Sequence, residues 1–561
     1  MLNFVFDTIY ILYIKEVIMN VFCIIIAVLI CIYAFTQKNK EKFAKTSFII
    51  EKYEKQIVFI LLLLGILVRI MLFWKYPAGL NQDEASVGYD AFADLVYGID
   101  RNGYHNPVYS VAWGSGHCGL FIALLKPFIK LFGLCTFSVR IVNVLFGCLA
   151  LFAFYGTVKE LRGRTLAVIA LFLLVINPWH IMMCRWGLDC NLFPNIFFVG
   201  LYALVKGREK NFFYYISAFI FGLCIYSYGT SYMFMPVFLL TVTFYLVKRK
   251  ELTVKNAGIC AGIFLVTVVP IVVFMTINVF NLQAIQLKHI SFPKLVDGRY
   301  NTTVTVLSGE FFYTVINNLK TFLYVLIKGY DGLIWNSIPF FGTLYHLSWP
   351  FIITGLICLF KKEGKEGRKI IVPMLLGVFV LACLTSLNIN RGNIAFIILI
   401  YLCAEGIYFV FKQTKYIVYG IILTYFVFFL SFTSVYFTKY QAWIGDAFFE
   451  GFGQAVLQAT KETEDTVYLT EKVNGPYVYA LFYDQTNPAE FMDTVQYLNP
   501  DSSVRYVKSF GRFVTGIPEE LSGDEICIVS EQEAEKFDEQ HYRKEKFKKF
   551  YMISLEKNLY E

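Results

Sequence analysis

Long apolar runs separated by short polar, mostly basic stretches fill the chain from residue 18 to residue 437. A helix needs about 20 predominantly apolar residues to cross the hydrocarbon core, because each backbone polar group must be satisfied within the segment. Twelve stretches are predicted to span, at 18–35, 57–75, 138–158, 166–183, 192–206, 212–230, 232–247, 256–279, 343–360, 370–387, 393–411 and 416–437. The fifth is short and compatible with a tilted or broken helix. Residues 1–13 are apolar but too short to span and lack the basic start and small-residue cleavage site of a signal peptide, so a retained interfacial helix is expected there.

Basic residues in short loops are retained on the cytoplasmic side. Six lysines lie between Lys38 and Lys55, and every second loop after that is basic: KELRGR at 159–164, KGREK at 206–210, KRKEL at 248–252, KKEGKEGRK at 361–369 and KQTK at 412–415. All six basic segments fall on one face. Assigning it to the cytoplasm puts the loops 77–140 and 280–342, and everything after Thr438, outside.

After residue 437 the pattern changes. Helix-like stretches (DAFFEGFGQAVLQATKE, GPYVYALFYD, NPAEFMDTVQYL) alternate with β-rich runs (TVYLT, VRYVKSF, EICIVS, KFYMISL). The expected organisation is a polytopic α-helical membrane domain at 1–437 and a small external α/β domain at 438–561. Charge divides the same way: residues 438–561 hold 22 acidic and 13 basic side chains, a net of −9, leaving +17 for the membrane portion of a chain whose formal net charge is +8.

Composition agrees, since 57% hydrophobic and 18% aromatic residues exceed what a water-soluble domain could bury. The thirteen cysteines follow no C-x-x-C pattern, and most sit in apolar runs as small core residues. No basic stripe interleaved with aromatics suggests nucleic acid.

The loop 77–140 is long for a membrane-protein connection and opens NQDEASVGYDAFADLVYG. From Glu84 onward its apolar residues suit an amphipathic helix along the interface, with Asp83 and Glu84 in the first turn. Carboxylates there either cap the helix or, for Asp83, serve as a general base where a hydroxyl acceptor meets a lipid-linked donor.

Asp83-Glu84 directly after an early span, SGHCGLFIALLKPFIKLFGLCTFSVRIVNVLFG at 115–147, NPWHIMMCRWGLDCN at 177–191 and NINRGNIAFI at 388–397 together resemble the glycosyltransferase C superfamily. The likeness is to its branch of dolichyl-phosphate-mannose protein mannosyltransferases and bacterial lipid A aminoarabinose transferases. It implies inverting transfer of one sugar from a polyprenyl-phosphate carrier to a glycan, lipid or protein acceptor, at the outer face of a bacterial plasma membrane, with Asp83 as the base. No β-trefoil insertion is recognisable, which argues against a protein acceptor, and an early span precedes the usual first one.

Charge growing on the departing phosphate calls for fixed cations. Arg185 and Arg391, just beyond external span ends, are the candidates, with Glu84 as an acceptor or support contact. Asp189, at i+4 from Arg185, could bridge to it or touch sugar, and Asn388 beside Arg391 could bind phosphate or cap a span. Lys126 and Lys130 interrupt an apolar run that lies at or re-enters the interface and could help hold the carrier phosphate. His105, His117, His180, His289 and His346 show no H-x-x-H or H-E-x-x-H spacing, so neither a catalytic metal nor another cofactor is predicted. Tyr89, Trp113, Trp186 and Tyr232 suit an interfacial aromatic belt.

Two rival classes remain. A transporter or flippase would also suit twelve spans, but related halves and a midplane site are not evident. An envelope-assembly scaffold would use the acidic domain instead. Asn301-Thr302-Thr303 is a glycosylation sequon only in a secretory pathway.

Overall fold

The computed structural model describes residues 2–37, 50–112, 116–296, 310–414, 416–502 and 504–556. Trp113 and the sequon at Asn301 lie outside them. Helix α1 (Leu2–Thr36) is continuous, so the interfacial helix expected at the start is one rod with the first span. The other helices of the membrane portion are α2 (Glu54–Ile70), α3 (Gln82–Val96), α4 (Gly119–Phe132), α5 (Thr136–Arg162), α6 (Arg164–Val175), α7 (Pro178–Met183), α8 (Asp189–Lys206), α9 (Phe212–Ile225), α10 (Ser231–Lys248), α11 (Val254–Val279), α12 (Phe311–Lys328), α13 (Trp349–Phe360), α14 (Lys365–Leu384), α15 (Ile394–Gln413) and α16 (Ile417–Phe437).

Among the described residues, seven helices are long and apolar enough to cross a membrane, fewer than the twelve spans expected. The difference has local causes. The stretch 166–183 breaks at Asn177, whose side chain caps the His180 amide at 2.9 Å, because Pro178 lacks an amide hydrogen and fits only the first turn of a new helix. Helix α6 is consequently a short apolar rod of 12 residues, and α9 and α13 are also short, at 14 and 12 residues.

The break exposes carbonyls inside the bundle, and the buried Arg69 satisfies them. Arg69, at the end of α2, donates to Leu174 O at 3.0 Å and Val175 O at 3.3 Å, where α6 ends. Its Nη2 also lies 2.7 Å from His180 Nδ1. With Nδ1 accepting, the ring proton sits on Nε2 and donates to Asn195 Oδ1 at 3.1 Å. Arg185, just past α7, caps α2 in turn. Cations at helix C-termini complement the carbonyls that lack an intrahelical partner, which is how a charge is tolerated at this depth.

The basic loops interlock on one face. Glu54 holds Lys159 at 2.6 Å and Arg164 at 3.2 Å, Glu160 holds Lys206 at 2.7 Å, and Arg208 bridges Glu251 at 3.0 Å and Glu366 at 3.2 Å. Helix α2 starts on this face and delivers Asp83 to the opposite one.

The C-terminal domain holds a seven-stranded mixed sheet in the order β10-β11-β9-β5-β8-β7-β6, built from β5 (Val467–Leu469), β6 (Gln496–Tyr497), β7 (Val507–Phe510), β8 (Phe513–Thr515), β9 (Ile526–Ser530), β10 (Tyr542–Phe547) and β11 (Phe550–Leu555). Strand β5 pairs in parallel with β8 and β9, and the remaining pairs are antiparallel. This domain is fastened to α3: Tyr89 donates to Thr486 O at 2.6 Å, and Tyr479 donates to Leu80 O at 2.9 Å. Gly88 makes the approach possible, since a Cβ there would stand 2.8 Å from Phe482 and from Val139. All thirteen cysteines are free thiols.

Candidate active site

The first turn of α3 separates the two neighbouring carboxylates. Asn81 is the N-cap: its Oδ1 accepts from the Asp83 amide at 2.8 Å, while Glu84 reaches back to accept from the Asn81 amide at 3.0 Å. The capping carboxylate is therefore Glu84. Its remaining oxygen capacity is taken by Arg140, at 2.7 and 2.9 Å, and by the Gly187 amide at 2.7 Å, with both charged side chains at zero exposure. Of the two roles expected of Glu84, the acceptor contact is not available, because its lone pairs are spent on the fold. Arg140 adds bonds to Pro77 O at 2.7 Å and Gly79 O at 2.8 Å, fixing the turn that leads into α3.

Asp83 keeps its side chain 28% exposed. Its Oδ1 stands 4.0 Å from His117 Nε2, and His117 Nδ1 stands 3.9 Å from Asp189 Oδ2. The imidazole lies between two carboxylates, and its Nε2 is buried without a hydrogen-bond partner. His117 is carried by β2 (His117–Cys118), paired antiparallel with β1 (Tyr109–Ser110). Asp189 opens α8, where its carboxylate accepts from the Cys190 amide at 2.7 Å and the Cys118 amide at 3.0 Å, so one residue positions both its own helix and the histidine strand. Asn143 holds the intervening turn through Trp186 O and Leu188 O, both at 2.9 Å. In the sequence His117 reads as one of five histidines without metal-ligand spacing, and its place in the run 115–147 is the available signal.

Arg185 does not belong to this group. Its Nη1 donates to Val68 O at 2.7 Å and Arg69 O at 3.1 Å, its Nη2 to Met71 O at 2.7 Å and Tyr76 O at 3.2 Å, and its Nε to the Tyr436 hydroxyl at 3.3 Å. The guanidinium is fully buried and its donors are consumed, so the phosphate contact expected of it is not available. The bridge to Asp189 does not form either, because a turn separates α7 from α8 and removes the helical i, i+4 geometry.

Arg391 is half-buried, and among the described residues its side chain makes one bond, to Ser386 O at 3.3 Å. Asn388 accepts from the Arg391 amide at 2.9 Å, which commits its oxygen to the loop. Asn393 ties this loop to the start of α8 by donating to Cys190 O at 2.7 Å. Lys126 pairs with Asp94 at 2.5 Å and with Asn106 Oδ1 at 2.6 Å, so its ammonium is engaged within the loop and does not await a phosphate. Among the described residues no group of three or more His, Cys, Asp or Glu is placed to hold a metal ion.

A second buried network lies behind the site. Asp90 accepts from Arg101 at 3.1 Å and Ser110 at 2.8 Å, linking α3 to β1. Beside it, Asp100 accepts from the Asn102 amide at 2.9 Å and the Tyr104 amide at 3.0 Å. Burial, reinforced by Asp90, pushes the Asp100 carboxyl up to about 8.

Residues 117–274 match the family described as dolichyl-phosphate-mannose-protein mannosyltransferase, a stretch that includes His117, Arg185 and Asp189. Among solved structures, ArnT from Cupriavidus metallidurans bound to undecaprenyl phosphate aligns with a TM-score of 0.56 at 11% identity, covering 90% of this chain and 98% of that one. The archaeal oligosaccharyltransferase AglB from Archaeoglobus fulgidus, in complex with an inhibitory peptide and a dolichol-phosphate, aligns with a TM-score of 0.47 at 13% identity over 77% of this chain and 64% of its own. No curated protein matches in sequence. The full-length likeness to ArnT gives the fold, and the family match over the His117–Asp189 region gives the class of activity. The chain is a multi-span membrane glycosyltransferase whose residues 117–274 match the mannosyltransferase family and whose fold is similar to that of ArnT.

Proposed function

We propose that the protein transfers a single sugar from a polyprenyl-phosphate carrier to a hydroxyl-bearing acceptor, with inversion, at the outer face of a bacterial plasma membrane. The observation that carries this reading is the partly exposed Asp83 carboxylate beside the buried, unsatisfied edge of His117. Asp83 takes the proton of the acceptor hydroxyl as that oxygen attacks the anomeric carbon. The bond from that carbon to the carrier's phosphate oxygen breaks with its electron pair on the phosphate, leaving polyprenyl phosphate and a glycoside of opposite anomeric configuration. One carboxylate suffices for a single displacement, whereas a retaining double displacement needs two carboxyl groups about 5 Å apart across the bond.

In this reading Asp189 orients His117, and His117 positions Asp83 and the incoming hydroxyl. Arg391, the half-buried one of the pair Arg185 and Arg391, meets the departing phosphate with a charge-assisted bond. The undecaprenyl phosphate in the ArnT structure is a carrier of the class proposed. The one-sided distribution of lysines and arginines supports the outward orientation of Asp83 and of the C-terminal domain. No divalent metal takes part in the proposed displacement, and undiminished turnover in excess chelator checks this.

The test uses the purified chain in proteoliposomes supplied with polyprenyl-phosphate-sugars and a hydroxylated acceptor, following free polyprenyl phosphate. Release of the carrier together with glycosylated acceptor is expected. Translocation of intact lipid-linked sugar without cleavage would favour the flippase instead.

A further inference from the structure

A cavity of about 540 Å³ opens on the basic face, at the end of the bundle opposite Asp83. It lies where α1, α13 and α15 end, and it is lined by Arg162, Lys361, Glu363, Glu405, Phe409 and Lys412 among others. Each carboxylate has a designated partner. Glu405 is buried and grips Arg162 at 2.5 and 2.9 Å while accepting from the Tyr401 hydroxyl at 2.7 Å. Glu363 is 71% exposed and holds Lys412 at 2.7 Å.

Lys361 is the exception. Among the described residues it has no carboxylate within 4.0 Å, and its ammonium instead rests 4.8 Å from the Phe35 ring and 4.7 Å from the Phe409 ring. Phe35 and Phe360 are 42% and 60% exposed on the adjoining helix ends, so the mouth of the cavity has an apolar rim. A cation with no carboxylate partner among the described residues, beside aromatic rings at the ends of α1, α13 and α15, matches one kind of ligand: a head with an anionic phosphate and tails that lie along the helices.

We propose that this cavity binds the phosphate headgroup of an anionic glycerophospholipid from the leaflet on the basic side, with Lys361 as the primary contact. The buried Glu405–Arg162 pair forms the floor and stays intact. The exposed Glu363 competes with the phosphate for Lys412, so the site is tuned by one removable carboxylate. The site is remote from the proposed sugar transfer, and its test reads lipid binding alone.

Native mass spectrometry of the full-length chain released from detergent, after incubation with phosphatidylglycerol or phosphatidylcholine, measures retained lipid. Phosphatidylglycerol is expected to be retained preferentially. Lys361→Gln should lower its affinity by about fivefold, the effect of one basic residue near an anionic surface. Glu363→Gln should raise retention, because it removes the carboxylate that competes with the phosphate for Lys412. Equal retention of phosphatidylcholine, or no change in either variant, would overturn the proposal. Displacement of the lipid by micromolar sn-glycerol 3-phosphate would also overturn it, since that would make the site one for a soluble phosphate. An unchanged thermal midpoint of the lipid-free variants separates loss of binding from loss of fold. If Lys361→Gln unfolds, the gain expected of Glu363→Gln carries the test.

Discussion

Arg140 holds Glu84 through two hydrogen bonds, 2.7 and 2.9 Å long, in a place where neither side chain is exposed. The pair joins α5 to the first turn of α3, and Arg140 also fixes the carbonyls of Pro77 and Gly79. Asp83 is therefore presented by a turn whose conformation is set by its neighbour.

Glu84→Gln should leave the Arg140 charge buried without its counter-ion. Removing one partner of such a pair costs about 3–5 kcal/mol. The expected result is a much lower thermal midpoint, measured in detergent, with activity lost in step with the folded fraction.

Arg185→Lys should also act through stability. A lysine has three donors on one nitrogen and cannot reach the carbonyls that the guanidinium fork satisfies at the end of α2. Each buried carbonyl left unpaired costs about 1–3 kcal/mol. The thermal midpoint should fall while the KM for the lipid carrier in the folded fraction stays unchanged.

Arg391→Gln should do the reverse. Among the described residues its guanidinium makes one long bond, to Ser386 O, so the thermal midpoint should move little. Loss of a charge-assisted contact of about 1.5–3 kcal/mol should weaken the use of the carrier by roughly tenfold to a hundredfold in kcat/KM.

His117→Asn should lower kcat by up to about 10²-fold, the penalty of misplacing a reacting group by about 1 Å, with a smaller change in KM. A merely structural role would instead shift the thermal midpoint and leave kcat per folded molecule intact.

The loop behind the site should be sensitive to pH. The Asp100 carboxyl is raised from an ordinary value of 3.8 to about 8, so between these limits the folded protein holds a proton that the unfolded chain has released. Stability from this group is present at low pH and is lost as pH rises from about 4 to 8. Asp100→Asn keeps an acceptor for the Asn102 and Tyr104 amides and should flatten that part of the thermal-midpoint profile.

These residues show what the sequence could and could not reveal. The strands at 467–469, 507–510, 526–530 and 550–555 follow from local pattern and stand where expected, and of the twelve apolar runs seven form helices long and apolar enough to cross a membrane among the described residues. The roles of Asp83 and Glu84 separate only through an Asn81-x-x-Glu84 capping box, a local signal, and through Arg140, which lies 56 residues away and follows no local pattern. Arg185 stands at a span end as a phosphate ligand would, but the carbonyls that take its donors lie more than 100 residues away in sequence, and the i, i+4 bridge to Asp189 fails because the chain turns between α7 and α8. Arg69, an ionisable residue inside an apolar run, carried a signal of its own, since such residues find buried partners. The C-terminal strands β6, β8 and β10 were missed because short or charged strands depend on neighbours for their pairing.

The central claim is that Asp83 accepts the acceptor's proton, and Asp83→Asn isolates it, because the amide keeps the shape of the carboxylate and loses its basicity. Turnover of purified variant and wild type, with the same polyprenyl-phosphate-sugar and acceptor, should show transfer falling by at least about 10²-fold while carrier binding and thermal midpoint are preserved. Turnover of the variant at the wild-type rate would contradict the assignment.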